Sequence, residues 1–110
     1  MAQQVATKRL AVFHSTQAGL TVQLYMCLAG TRAILKSTLV SNRAAAAANL
    51  DLWLSGQGAN PFFLRIPLAG LQNVEQSSWI VLEEGDAIYA NADQPEVEAW
   101  LSGSVLTLPS

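Results

Sequence analysis

His14 and Cys27 are the only histidine and the only cysteine in the 110 residues, which limits at once the chemistry this chain can perform. A hydrolytic triad gathers serine, histidine and aspartate in space rather than in sequence. Yet no Gly-x-Ser-x-Gly elbow occurs, and Ser55-Gly56-Gln57-Gly58 fails that pattern. Cys27 has no basic neighbour in sequence to lower its pKa, so it reads as a small packing residue rather than a nucleophile. Zinc needs several Cys or His ligands, and one of each is too few. The densest carboxylates are Glu83, Glu84 and Asp86, followed by Asp93 and Glu96. They lack the alternating acidic and amide ligands and the closing glutamate of a calcium loop, so they read as a solvated turn. Gly56-x-Gly58 meets Pro61 where a dinucleotide fingerprint needs a third glycine. No catalytic residue, metal ligand or cofactor site is expected, and the chain is not expected to be an enzyme.

Binding chemistry is better represented. In Asn49-Leu50-Asp51-Leu52-Trp53-Leu54 the leucines share one face of an alternating segment, and Trp53 shares the other with Asn49 and Asp51. In the segment from Glu96 to Ser102, Val97, Ala99 and Leu101 oppose Glu96, Glu98, Trp100 and Ser102. Strict alternation marks a strand with one buried face. A tryptophan among the polar positions must then be covered from outside. Trp53 and Trp100 are the expected interface anchors, with Trp79 and Tyr89 behind them, because rigid aromatic side chains bury much area at little entropic cost. Glu96 and Glu98 beside Trp100 also suggest a sugar-binding strip, which keeps a carbohydrate- or receptor-binding sandwich as an alternative.

The elements that must position these residues are short strands. Thr7–Ser15 is followed by a turn at Gln17-Ala18-Gly19, and 20–28 alternates with Leu20, Val22, Leu24, Met26 and Leu28 on one face. Thr21, Gln23, Tyr25 and Cys27 take the other. Further strands are expected at 33–41, 49–54, 62–68, 79–82, 87–92 and 96–108. The clearest loop is 55–61, and Pro67 hints at an edge or a bulge. Glu83-Glu84-Gly85-Asp86 carries a hairpin signal. The alanines 44–48 favour helix by propensity, but a helix so short is marginal; a loop or the start of the next strand is expected. The pattern predicts an all-β chain, an antiparallel β-sandwich or jelly roll of about eight strands. It forms one domain over 1–110, in which 1–7 is an arm that orders on a neighbour.

Only 13% of residues are charged, against roughly 25% in ordinary soluble domains. Such a surface suits packing against copies of itself or a large partner. A net charge of −2 with scattered basic residues argues against nucleic acid. No apolar run is long enough to span a membrane. Residues 1–7 lack a charged leader with an apolar run, and one cysteine permits no internal disulfide; synthesis in a reducing cytoplasm is expected.

Leu28-Ala29-Gly30-Thr31-Arg32-Ala33-Ile34-Leu35-Lys36-Ser37, then Leu39-Val40-Ser41-Asn42 and Leu50-Asp51-Leu52-Trp53-Leu54, and later Ile80-Val81-Leu82-Glu83-Glu84-Gly85-Asp86, give the middle of the chain a resemblance to small β-sandwich virion proteins of tailed bacteriophages. It spans about 20–92 and departs at Leu28, where those proteins commonly have proline. The resemblance implies a non-catalytic virion role: a capsid cement or decoration protein that clamps neighbouring major capsid subunits. A tail, neck or fibre-associated structural module is the alternative. A homotrimer on the capsid surface, made in the host cytoplasm, is the expected form.

Overall fold

A computed structural model describes residues 7–55 and 63–108, and every element in them is a strand, turn or bend. The strands are β1 (Thr7–His14), β2 (Thr21–Met26), β3 (Thr31–Asn42), β4 (Ala48–Ser55), β5 (Phe63–Leu68), β6 (Asn73–Leu82), β7 (Ala87–Ala92) and β8 (Val97–Thr107). Two four-stranded antiparallel sheets result, a first with order β1-β8-β3-β6 and a second with order β2-β7-β4-β5. Partners 1 and 8, 2 and 7, 3 and 6, and 4 and 5 are those of one long antiparallel ribbon folded over on itself. Rolling it brings β3 beside β8 and β4 beside β7. Of the two expected architectures, this is the jelly roll.

The core lies between the sheets. Leu50, Leu52 and Leu54 of β4, Val97, Ala99 and Leu101 of β8, and Ala33, Leu35 and Val40 of β3 are buried there with Leu82, Ile88 and Ala90. These are the apolar halves of the alternating segments, so burial follows the two-residue period.

Three local expectations are revised. The face assignment of 20–28 holds only to Gln23. A register shift between Gln23 and Tyr25 lets Leu24 and Tyr25 both pack on the core. Beyond it the faces exchange, so Cys27 is buried while Met26 and Leu28 are exposed. The strand expected at 79–82 begins at Asn73. Glu83–Asp86 does form a turn, with Asp86 N–H donating to Glu83 O at 3.0 Å and Gly85 at φ 85°. It is not a hairpin, because β6 pairs with β3 in one sheet and β7 with β2 and β4 in the other. Thr7, expected both as the end of the arm and as the first residue of a strand, opens β1; residues 1–6 of the arm, 56–61 of the expected loop and Phe62 of the next expected strand lie outside the described residues.

The alanine run is held open as a loop by one side chain that sequence reasoning passed over. Asn42, almost wholly buried, donates from Nδ2 to Ala46 O at 2.8 Å and to Ala69 O at 3.0 Å. Its Oδ1 accepts from Ala44 N–H at 3.1 Å. Three such bonds outweigh the small helix preference of a few alanines. The β5–β6 turn crosses this loop so closely that a Cβ on Gly70 would fall 2.0 Å from Ala45 O.

Candidate functional site

The outer face of the first sheet is assembled by register. Val12, Trp100, Leu39 and Glu75 stand side by side across its four strands. A neighbouring row runs His14, Glu98, Ser41 and Asn73. Towards the other end Ile34 pairs with Val81, and Trp79 lies beside them on β6. The apolar members are unusually open: Val12 is 47% exposed, Leu39 42% and Trp79 69%. Each sits in a strand whose opposite face feeds the core, so the same alternation that buries Ala99 and Val40 turns Trp100 and Leu39 outward. Lys36 Nζ lies 5.4 Å from the centre of the Trp79 ring, a cation–π contact at the surface.

The outer face of the second sheet is built otherwise. Trp53 and Tyr89 are direct cross-strand partners, and their rings stack with centres 5.9 Å apart and planes 16° from parallel. In the next row Arg65 grips Asp51 through two bonds, Nε to Oδ1 at 2.8 Å and a second terminal nitrogen to Oδ2 at 3.0 Å. Asn91 donates to Gly19 O and Thr21 Oγ1. Asp93 accepts from the Asn49 backbone and side chain. All four aromatic residues expected as anchors therefore stand on outer faces, two on each sheet, and the pairs are separated by the core.

Residues considered for chemistry are not gathered into one centre. His14 Nδ1 is 3.9 Å from Glu98, whose other oxygen takes Arg43 at 2.8 Å. Arg43, chiefly by that hydrogen bond, holds the Glu98 carboxyl below its ordinary range. Ser15, Ser37 and Ser78 direct their hydroxyls elsewhere, to Gln94 O, Glu75 and Leu35 O. Cys27 is buried, its Sγ within 3.5 Å of Thr31 and Leu82. The three turn carboxylates have separate tasks: Glu83 pairs with Arg32, Glu84 accepts from Gly30 N–H, and Asp86 accepts from Glu83 N–H. Among the described residues no group of three His, Cys, Asp or Glu side chains is placed to hold a metal ion. Glu96 does not join Glu98 and Trp100 on a strip. It precedes β8 at φ 69°, its N–H bonded to Ser15 O, because the chain must turn there to enter the strand.

Sequence reasoning missed the companions of Trp100. Leu39 falls within the strand expected at 33–41 and Val12 within that expected at 7–15, and neither stands out in its own segment. The signal was their place in the alternation, but which strands lie side by side is not written in any one of them.

The same arrangement of strands occurs in known assemblies. Against a chain of the T13 particle of infectious bursal disease virus the TM-score is 0.63, at 14% identity over 96% of this chain. The Gx strain of that virus gives 0.56 at 15% identity, again over 96%. This chain spans about a third of those viral chains, 31% and 32% of their lengths. A Bacillus endospore appendage, described as one of a novel family of disulfide-linked pili, gives 0.56 at 11% identity over 99% of this chain and 93% of that one. None is a tailed bacteriophage protein. At such identities the likeness is one of fold. No family model and no curated protein matches the sequence.

Proposed function

We propose that this chain is a non-enzymatic structural subunit of a virion, a cement or decoration protein that clamps neighbouring major capsid subunits at the capsid surface of a tailed bacteriophage. The observation that carries it is the outer face of the first sheet, where Val12, Trp100 and Leu39 stand side by side and Trp79 lies beyond the row Ser102, Ser37 and Ser77, apolar surface that the described residues do not cover. Monomers seldom leave contiguous apolar surface open, and such patches mark contact sites. The jelly roll shared with a virus particle supports the virion setting, and the phage-like sequence from 20 to 92 supports the phage. Trp100 and Trp79 are the first contact anchors in this reading, Trp53 and Tyr89 the second.

Quantifying the protein in purified particles tests it. A cement is present in hundreds of copies, and Trp100→Ala should reduce its occupancy on the shell. Tens of copies or fewer would sink the cement and favour a tail, neck or fibre module. The likeness to nearly the whole of a pilus subunit supports that second reading. A pilus joined by disulfides fits less well, since each subunit of a linked row needs two cysteines and Cys27 is alone and buried.

A further inference from the structure

Four strands end the sheets, β1 and β6 in the first and β2 and β5 in the second. An unpaired edge is a template for another strand, and proteins guard it with proline, lysine, bulges or brevity. β5 carries Pro67 and Arg65. β1 carries Lys8 and Arg9 and shifts register at Leu10. β2 has six residues and shifts at Leu24. β6 is different: ten residues with no proline, glycine, lysine or arginine, whose burial alternates without a break from Asn73 to Ile80. It too carries one extra residue, Ser78 and Trp79 together standing against Lys36 of β3, yet the alternation of its faces runs on through it.

We infer that the β6 edge pairs with β6 of a second copy across a two-fold axis, joining two first sheets into one of eight strands. Identical antiparallel strands meet with the same patch on both sides, as two-fold contacts require. Directly opposed residues must lie on the same face of the sheet, so the axis passes through a residue rather than between two. Greatest overlap then leaves two registers, centred on Ser77 or on Ser78. Centred on Ser78, Val74 opposes Leu82 but Gln76 meets Ile80 on the inner face, and Glu75 meets Val81 on the outer. Centred on Ser77, Val74 meets Ile80 on the inner face, two residues already packed on the core. On the outer face Glu75 meets Trp79, over which Lys36 sits. Among the described residues neither Lys36 nor Glu75 has an ion partner in its own chain. The Ser77-centred register gives each one in the other copy, twice. It requires a dimer in place of the three-fold assembly expected from sequence.

The pairing deepens the assembly reading above and is tested apart from particles, on the full chain in solution. Light scattering at micromolar concentration should give a dimer. Glu75→Lys or Lys36→Glu alone should weaken it by roughly tenfold or more, since like charges then face each other twice, and the double exchange should restore it. Ser77→Cys should form a disulfide-linked dimer on oxidation, Cys27 being buried, and Ser78→Cys should not. A monomer or trimer, charge reversals without effect, or a link through Ser78→Cys instead would overturn the inference. If particles carry many copies while the solution mass is monomeric, the edge pairing fails and the virion reading stands. A dimer of a protein absent from particles does the reverse.

Discussion

The two outer faces hold three tryptophans and one tyrosine between them, two aromatic residues on each sheet, yet they use them in opposite ways. On the second sheet Trp53 leans on Tyr89, Asp51 on Arg65 and Asn49 on Asp93, so the outward groups are matched within the chain. On the first, Trp79 meets an ammonium group and is otherwise open among the described residues, with Leu39 and Val12 exposed beside Trp100. A large aromatic residue on a sheet surface is thus no sign of an interface by itself. What separates the two faces is whether the cross-strand neighbour supplies a partner. Tyr89 does so for Trp53; Leu39 and Val12 only widen the apolar surface around Trp100.

This contrast can be broken by mutation. Trp53→Ala should cost about 2 kcal/mol of folding stability in urea titration, since it removes a half-buried ring and its stack. A subsequent Tyr89→Ala should then cost less than it does in the unaltered chain. If Trp53→Ala is silent, the second face is no more self-satisfied than the first. Asp51→Asn is smaller, below about 1 kcal/mol and weaker still in high salt, because Arg65 is more than half exposed. Trp79→Ala should stay within about 0.5 kcal/mol of the parent stability while weakening self-association, the pattern of a contact residue. The finest effect is in pH. Glu98 ionises more readily folded than unfolded, because Arg43 and His14 stand beside it. Its contribution is therefore full above the ordinary glutamate range and is lost as pH falls through the depressed folded value. Glu98→Gln should flatten the acid limb of a stability profile between those two values and leave neutral pH behaviour in place.

Much of the fold was legible because alternation is a one-dimensional record of a two-sided layer. β3, β4, β7 and β8 announce themselves by it, and so does the outward setting of Trp53 and Trp100. β6 was half hidden, since Asn73-Val74-Glu75-Gln76-Ser77-Ser78 has a weak apolar half and its pattern strengthens only at Trp79. β2 was read on one unbroken period, and a bulge, which depends on how the strand meets β7, exchanged its faces. The turn at Glu83–Asp86 was legible as a turn, but a turn between sheets and a hairpin share the same local chemistry.

By itself the sequence determined the all-β character, the approximate strands, the buried half of most of them and the poverty of catalytic groups. These follow from residue type and a period of two, which act over neighbouring positions. Tertiary structure alone decided that the sandwich is a jelly roll, that Val12 and Leu39 flank Trp100 while Tyr89 meets Trp53, and that Asn42 opens the alanine run. Each of these needs segments dozens of residues apart to be adjacent. Their pairing is fixed by how two sheets close over a shared core, not by any property that one strand carries alone.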